Sequence, residues 1–280
     1  AAGDLRLLDL LARQAADVME RAGAAAALRQ SEAQLRDSAG KLEEAVRARD
    51  ELLSTASHEL RNPVNALQLQ LVALLRAAEK RPGDVPREWA CDRIGLAVTA
   101  TRRLVSLVEN LLDVSRITAG RLDFEIEEMD FGQSVKAVIG RLESQATEHQ
   151  ISARIERVTG SWDRLRLEQV VTNLLSNAIK YGNGNPIEIV LDGDDRMAYL
   201  SVRDHGVGIE PADQKRLFQK FERVVSQSRF PGFGLGLWIS RQIIEAMGGQ
   251  IEVESRFGEG STFTVSLPHL QLANARVLEV

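Results

Sequence analysis

The segment Ser57-His-Glu-Leu-Arg-Asn-Pro63 lies in a stretch whose apolar and small residues recur every three or four positions, as along one face of a helix. This first seam consists of Leu53, Ser57, Leu60, Val64, Leu67, Leu71, Leu74 and Ala78. The proline- and glycine-containing residues 79–87 predict a loop, and a second seam follows them. It consists of Ile94, Ala97, Thr101, Leu104, Val108, Leu111 and Ser115. Two such helices joined by a short loop predict an antiparallel helical hairpin.

A single hairpin would leave much of both seams in contact with water. The sequence therefore predicts that two copies associate into a four-helix bundle, which makes the protein a homodimer. Ahead of the hairpin, residues 4–52 contain no proline and little glycine, which predicts a long helix. From Leu28 onward the same periodicity favours a weakly paired, parallel coiled coil, with a short connecting helix as the alternative.

After Gly120 the periodicity changes from helical to alternating, which predicts strands. Alternating segments occur at 122–126, 151–155, 187–191, 199–202, 251–254 and 262–265, and helical patterns occur near 132–147, 163–181, 211–218 and 234–247. This mixture predicts an α/β sandwich in which helices cover a sheet. The fold class of the whole chain is therefore α+β multidomain.

The composition disfavours several classes of protein. A net charge of −5 over 280 residues does not favour nucleic-acid binding, which selects basic surfaces. The one cysteine, Cys91, cannot form an internal disulfide and fits a reducing compartment. No apolar run approaches the ~18 residues of a membrane span, and the N-terminus lacks a secretory signal. We expect a cytoplasmic chain, and because it begins with Ala1 rather than Met, a piece of a longer protein.

His58 directly follows seam position Ser57 and is expected to be partly exposed at the flank of the seam. The neighbouring carboxylate of Glu59 can accept or orient one imidazole proton, which leaves the other ring nitrogen as a nucleophile. Successive helical residues do not face each other, so contact between His58 and Glu59 does not follow from spacing. Asn62 lies one turn on, and shares a face with His58. On chemistry alone, an acceptor histidine and an ordinary surface histidine both remain open.

Asn173, Asn177 and Lys180 recur at steps of four and three, so they share one helix face. Carboxamide oxygens can bind Mg²⁺, and a lysine suits phosphate oxygens. Taken alone, the pattern is explained better by an amphipathic helix with a polar outer face.

Two glycine-containing segments follow. Asp204-His-Gly-Val-Gly208 comes after a predicted strand, and its carboxylate suits an amine such as that of adenine. Gly232, Gly234 and Gly236 alternate ahead of a helix, where exposed amides favour a phosphate chain. Phenylalanines among charged residues between the two segments are typical of a mobile lid. Each glycine motif alone is also typical of an ordinary turn. No P-loop sequence and no zinc-type spacing is present.

As an ordered set from about Asp50 to Pro268, these motifs closely resemble the catalytic core of bacterial two-component sensor histidine kinases. The resemblance implies a dimerisation and histidine-phosphotransfer hairpin followed by an ATP-binding domain of the Bergerat type. It implies ATP and Mg²⁺ as cofactors and a response regulator receiver domain as partner.

The resemblance also implies residue roles. His58 would be the phosphoacceptor, Glu59 its general base, and Asn62 a residue that positions water for phosphatase activity. Asn177 would be the principal magnesium ligand, supported by Asn173. The further nucleotide-binding residues would be Lys180, Tyr181, Asp204, Gly206, Gly208, Phe218, Phe221, Gly232, Gly234 and Gly236.

The implied domains are a signalling helix or coiled-coil linker at 1–49, the phosphotransfer domain at 50–120, the ATP-binding domain at 121–270 and a tail at 271–280. Residues 1–24 resemble the end of a GAF-type sensor domain, with an ordinary alanine-rich helix as the alternative, so the sensor itself is expected to be missing. The expected function is autophosphorylation of a histidine from ATP and transfer to an aspartate of a regulator. The alternatives are a phosphatase-dominant form, a degenerate dimeric scaffold, and an ATPase of the same fold without phosphotransfer.

Overall fold

The computed structural model describes residues 34–40, 42–43, 46–47, 54, 56–79, 85–143, 150–222 and 234–269. By its internal contacts the chain divides into two units, residues 1–57 and residues 58–280. In the first unit every described residue is helical. The helix expected to end a GAF-type domain, at 1–24, lies outside the described residues, and the pairing of the coiled coil stays a prediction.

The second unit begins with the predicted hairpin, formed by helix α1 (residues 58–79) and helix α2 (Arg87–Thr118). Glu59 on α1 accepts a hydrogen bond from Arg103 on α2 at 3.3 Å, and Gln70 accepts one from Arg93 at 3.1 Å. The later residue of α1 pairs with the earlier residue of α2, so the helices run antiparallel. The prediction of a hairpin is confirmed, while its association with a second copy stays a prediction.

Gly120 ends α2 through a local hydrogen-bond pattern. The amide of Gly120 donates to the Ile117 carbonyl at 3.0 Å, and the amide of Arg121 donates to the Arg116 carbonyl at 2.9 Å. This paired arrangement needs a left-handed residue after the helix, and Gly120 has φ 63°. The chain therefore leaves the hairpin where the sequence pattern changes.

The rest of the unit is built on a mixed sheet of five strands in the order β2-β4-β5-β7-β6. Its strands are β2 (Ile151–Ile155), β4 (Ile187–Gly193), β5 (Met197–Asp204), β6 (Gln250–Arg256) and β7 (Gly260–Pro268). β2 runs parallel to β4, and the other pairs are antiparallel. Strands β1 (Ile126–Asp130) and β3 (Thr159–Asp163) form a separate antiparallel pair. The α/β sandwich is confirmed.

Helices cover this sheet, as predicted. They are α3 (Phe131–Leu142), α4 (Arg164–Tyr181), the short α5 (Pro211–Gln214) and α6 (Gly236–Ala246). α4 contacts α3, α6 and strand β5, so it lies at the centre of the helical layer. The core includes Trp162 and Phe131, whose ring centroids lie 5.9 Å apart.

Two details differ from the sequence prediction. The strand expected at 122–126 begins only at Ile126, because the Glu125 amide donates instead to the carboxylate of Asp163 at 2.9 Å. Strand β3 had no predicted counterpart, because Thr159-Gly-Ser-Trp-Asp163 lacks the alternation of apolar residues that indicates a strand. The predicted domain boundaries stay predictions.

None of the described helices is long and apolar enough to cross a membrane.

Candidate functional site

Helix α4 carries the predicted metal and phosphate residues. Asp163 caps its N-terminus by accepting a hydrogen bond from the Arg166 amide at 3.0 Å. The apolar side of the helix is buried through Leu167, Val170, Val171, Leu174, Leu175 and Ala178. Asn173, Asn177 and Lys180 fall outside this buried set and are partly exposed, so the helix does present them on its polar side.

The side chain of Asn173 is held by helix α6. Its Nδ2 donates to the hydroxyl of Ser240 at 2.9 Å. Its Oδ1 lies so close to Gly236 that a Cβ there would be 2.2 Å from it. Both ends of this carboxamide therefore contact α6. The Nζ of Lys180, one turn beyond Asn177, lies 4.7 Å from the ring centroid of Tyr181.

Asp204 lies at the end of the central strand β5. It continues the buried alternation of Ala198, Leu200 and Val202, so its carboxylate faces the helical layer and is only 5 % exposed. The carboxylate accepts hydrogen bonds from the amides of Gly206, at 2.9 Å, and Ser261. Burial raises the pKa of the Asp204 carboxyl, while the two amides act in the opposite direction. A fixed, buried acceptor of this kind suits an amine.

Gly206 and Gly208 allow two close backbone approaches beside Asp204. A Cβ on Gly206 would lie 1.9 Å from the carbonyl oxygen of Tyr181, at the end of α4. A Cβ on Gly208 would lie 2.0 Å from the carbonyl oxygen of Arg256, and Gly208 has φ 63°. These two glycines therefore fix the loop after β5 against α4 and the β6–β7 turn.

The second glycine segment leads into helix α6. Gly234 has φ 68°, and Gly236 is the first residue of the helix, while Gly232 lies outside the described residues. Among the described residues, no side chain caps this helix at its start. The first amides of an uncapped helix are suited to binding an anion such as a phosphate.

Of the phenylalanines expected near the lid, Phe218 is buried, and Arg241 lies 5.5 Å from its ring centroid. Phe221 is partly exposed and has φ 64°, which is uncommon for a bulky residue. The lid expected between the glycine segments falls partly on residues 223–233, which lie outside the described residues.

The predicted acceptor group lies on α1. The side chains of His58 and Asn62 are exposed, and Pro63 is buried. The carboxylate of Glu59 is paired with Arg103 across the hairpin, and its side chain is 15 % exposed. Within the described part of the chain, no hydrogen bond or ion pair joins His58 to Glu59 or to the residues around Asp204.

A polar contact between the hairpin and α4 was not predicted. Asp113 on α2 is buried, and its carboxylate accepts hydrogen bonds from Arg166 at 2.7 Å and Gln169 at 2.6 Å. The available signal was a charged residue within the second seam, between Leu111 and Ser115. Ser240 was also missed, because one serine in an apolar helix gives no pattern.

Comparison with known proteins identifies two regions. Residues 48–120 match the family described as the His Kinase A (phospho-acceptor) domain. Residues 162–271 match the family described as the histidine kinase-, DNA gyrase B- and HSP90-like ATPase.

The chain is similar to the virulence sensor protein BvgS of Bordetella bronchiseptica, with 34 % identity over 84 % of the chain and 19 % of the relative. It is 37 % identical to the sensor protein GacS of Pseudomonas syringae pv. syringae, over 80 % of the chain and 25 % of the relative. It is 30 % identical to the sensor histidine kinase WalK of Bacillus subtilis, over 79 % of the chain and 37 % of the relative. The chain thus spans well under half the length of these relatives.

Among solved structures, the histidine kinase AdeS of Acinetobacter baumannii is similar with a TM-score of 0.58 and 26 % identity, covering 76 % of this chain and 98 % of that one. Full-length ShkA in complex with AMPPNP has a TM-score of 0.56 and 27 % identity, covering 78 % of this chain and 45 % of that one.

Proposed function

Because the chain belongs to the sensor histidine kinases of two-component signal transduction, we propose that it phosphorylates His58 from ATP and passes the phosphoryl group to an aspartate of a response regulator. One observation carries this proposal. His58 is the only histidine within the phosphoacceptor match at 48–120, and its side chain is exposed.

The nucleotide binds between α4, the loop after β5 and the start of α6. The Asp204 carboxylate accepts a hydrogen bond from the amino group of adenine, because it is buried and held by two amides. Lys180 and the uncapped amides at the start of α6 contact the phosphates. Gly206, Gly208 and Gly236, where a Cβ would lie about 2 Å from another protein atom, hold the loop after β5 and the start of α6 in place around this site.

The donor set fits Mg²⁺ bound mainly through the nucleotide. Among the described residues there is no group of three or more His, Cys, Asp or Glu side chains that could hold a metal ion. Mg²⁺ usually keeps one or two protein oxygens and takes its other ligands from phosphates and water. The partly exposed carboxamide of Asn177 can supply such an oxygen. When bound, Mg²⁺ neutralises charge on the β- and γ-phosphate oxygens.

In the transfer step, an imidazole nitrogen of His58 attacks the γ-phosphorus in line with the bridging oxygen of ATP. The nitrogen–phosphorus bond forms as the bond to that oxygen breaks, and ADP leaves with the electron pair. Glu59 accepts or orients the imidazole proton, and Arg103 fixes its carboxylate on the hairpin. In the second step, a regulator carboxylate takes the phosphoryl group and the nitrogen–phosphorus bond breaks.

The active form is a homodimer. The hairpin exposes large apolar side chains on both helices, at Val64, Leu71, Leu75, Ile94, Leu96, Val98, Val105, Val108 and Leu112. A second hairpin can bury these residues in a four-helix bundle. Since the reaction consumes ATP, we place it in the cytoplasm.

A phosphatase-dominant form is the second candidate, supported by the exposure of Asn62 one turn after His58. A carboxamide there can orient water for attack on the phosphorylated aspartate of a regulator.

Incubation with γ-labelled ATP and Mg²⁺ tests the proposal, with His58→Gln compared with His149→Gln. His149 lies outside both family matches and is the matched control. We expect acid-labile, alkali-stable label in the wild type and His149→Gln, and none in His58→Gln. Label retained in His58→Gln would overturn the assignment of the acceptor. No label in a chain that binds ATP would instead favour the phosphatase-dominant form, which dephosphorylation of a phosphorylated regulator would test.

A further inference from the structure

Asn173 was expected to support a metal site, but its surroundings point to another role. Its Nδ2 donates to the Ser240 hydroxyl at 2.9 Å, and Ser240 is only 2 % exposed. A buried hydroxyl normally requires a hydrogen-bond partner, and Asn173 supplies it. Its Oδ1 contacts Gly236, where a Cβ would lie 2.2 Å away. The side chain therefore spans the first two turns of α6.

This contact sets where the phosphate-binding end of α6 lies. No described side chain caps the start of α6, and the first amides of such a helix are suited to an anion. Asn177 lies one turn along α4 from Asn173. A link between Asn173 and Ser240 therefore fixes the distance between those amides and the oxygen of Asn177.

We propose that Asn173 and Ser240 act as positioning residues that align the start of α6 with α4 for binding of the nucleotide phosphates, and that Asn173 is not a magnesium ligand. We call these two residues the α4–α6 strut. The proposal rests on the proposed function, because it concerns the same nucleotide site.

The test is ADP affinity measured calorimetrically in EDTA, where no divalent metal is present. Ser240→Ala and Asn173→Ala should each weaken binding about fivefold, the effect of losing one hydrogen bond. The double variant should bind like either single variant, because both remove the same link. Ser176→Ala is the matched control: it also lies on α4, and its hydroxyl donates to the Asn173 carbonyl at 3.1 Å rather than to α6. It should bind like the wild type.

A loss in Asn173→Ala that appears only with Mg²⁺, together with wild-type binding by Ser240→Ala, would show that Asn173 is a metal ligand and overturn the proposal. If the wild type binds no nucleotide, the proposed function fails, and thermal unfolding of the same variants still tests the strut. Non-additive losses of stability would support the link, and additive ones would contradict it. Ser240→Cys replaces Ser240→Ala if that variant does not fold, because its somewhat larger thiol fills the site but is only a weak hydrogen-bond partner.

A second inference rests on a separate observation, the buried carboxylate of Asp113. Only 5 % of this residue is exposed, and it accepts hydrogen bonds from Arg166 at 2.7 Å and Gln169 at 2.6 Å. Arg166 also donates to Gln169 at 3.0 Å, so the three side chains form a closed group. We call Asp113, Arg166 and Gln169 the interdomain clamp.

The clamp lies far along the hairpin from the acceptor. Arg103 pairs with Glu59 and so marks the level of His58 on α2. Asp113 follows Arg103 by ten residues, which corresponds to roughly 15 Å along a helix. Further contact lies still closer to the end of α2, where the Thr118 hydroxyl accepts a hydrogen bond from Lys220 at 3.2 Å. The ammonium of Lys220 also lies 4.5 Å from the Trp238 ring centroid, on α6.

We infer that the interdomain clamp holds the ATP-binding domain on the end of α2 and must open before the domain delivers phosphate to His58. A charge buried at this contact is stable only while its partners remain, so removing one partner releases the domain. This inference also rests on the proposed function, but its first readout does not depend on activity.

That readout is the rate of trypsin cleavage after Arg121, in the segment between α2 and β1, with the cut identified by fragment mass. The Arg121 side chain is exposed, but its amide donates to the Arg116 carbonyl at 2.9 Å, so cleavage there requires the end of α2 to unfold locally and follows the population of that open form. Asp113→Asn should be cut about tenfold faster than the wild type. Glu109→Gln, an exposed residue one turn earlier on α2, removes the same charge and should be cut at the wild-type rate. Autophosphorylation should accelerate in Asp113→Asn, while its ADP affinity stays that of the wild type.

A second experiment reverses the charges of the interdomain clamp. Asp113→Arg and Arg166→Asp should each speed cleavage after Arg121, and the double variant should restore slow cleavage. Equal cleavage of the wild type and Asp113→Asn would overturn the clamp. Faster cleavage with slower autophosphorylation would show that the docked arrangement promotes transfer, which would also overturn it. An inactive wild type would refute the proposed function and leave the cleavage test intact.

Discussion

The hairpin and the ATP-binding domain differ in how completely their apolar side chains are buried. In the ATP-binding domain, large residues such as Trp162, Leu174 and Ile243 have no exposed surface. In the hairpin, Leu71 and Ile94 are each 52 % exposed although they belong to regular apolar seams. The ATP-binding domain forms a complete hydrophobic core within one chain, whereas the hairpin leaves large apolar side chains of its seams exposed. We therefore expect the ATP-binding domain to be stabilised by its own sheet and the hairpin by association with a second copy.

The largest effect is expected from replacing Trp162, a fully buried core residue of the ATP-binding domain. Trp162→Ala should destabilise the ATP-binding domain by about 3–5 kcal/mol, because it leaves a large cavity and removes the hydrogen bond to the Pro268 carbonyl. Calorimetry should show that this loss is independent of protein concentration. Trp89→Ala, a partly exposed tryptophan on α2, is the control and should leave that transition unchanged. An equal shift in both variants would mean that the two regions unfold as one.

A smaller effect is expected from breaking the seam. Leu71→Asp should weaken self-association by about 1.5–3 kcal/mol for each leucine that the dimer would otherwise bury. Burying the new carboxylate at the interface adds a further cost. Sedimentation measurements should show more monomer at equal concentration, and the hairpin should melt at a lower temperature than in the wild type at that concentration. Leu165→Asp removes an exposed leucine of the ATP-binding domain and is the matched control. Unchanged association in Leu71→Asp would show that α1 lies outside the dimer interface.

The smallest effect concerns the pH dependence of the ATP-binding domain. Burial raises the pKa of Asp204 in the folded protein, so ionisation of this group opposes folding. The contribution of the Asp204 carboxyl to the free energy of unfolding is fully present below the pKa that this group has in the unfolded chain. It is lost as pH rises through the higher pKa of the folded protein. Asp204→Asn should therefore gain stability relative to the wild type as pH rises across that window, measured by urea unfolding, while it loses nucleotide affinity. A difference that does not change with pH would contradict this assignment.

Glu188 provides a contrasting control on the same sheet. Its hydrogen bond with His205, at 2.8 Å, lowers the pKa of the Glu188 carboxyl. Its small contribution is present above the unfolded pKa and is lost as pH falls through the folded value. Glu188→Gln should therefore lose stability relative to the wild type with rising pH, opposite in sign to Asp204→Asn.

Much of the fold could be predicted from the local pattern of apolar residues. The strand expected at 151–155 is β2 itself, and the helix expected at 163–181 differs from α4 by one residue at its start. The helix was predicted correctly because its buried face imposes a helical period on the sequence. Strand β2 has no fully buried residue, and its prediction depended on the alternation in Ile151-Ser-Ala-Arg-Ile155. Strand β3 was missed because its identity depends on pairing with β1 and on burial of Trp162, neither of which leaves a periodic trace.

The candidate site was readable as a set of residue types but not as a set of contacts. The sequence indicated a polar face on α4 but not that Asn173 bonds to Ser240, because that bond joins residues far apart in the chain. Likewise, spacing left open whether Glu59 contacts His58, and the structure pairs Glu59 with Arg103 across the hairpin. Side-chain partners depend on which helices pack together, so local spacing cannot supply them.

The hairpin, the α/β sandwich and the order of the acceptor, amide and glycine segments could all be predicted from the amino-acid sequence. They follow from periodicity and from residue chemistry, which act over a few neighbouring positions. Three other properties become visible once the chain has folded: Asp113 is buried against α4, Asn173 is held by α6, and Asp204 is enclosed with a raised pKa. Those properties arise when distant segments exclude water from each other, because burial and partner choice are consequences of packing and not of the order of residues.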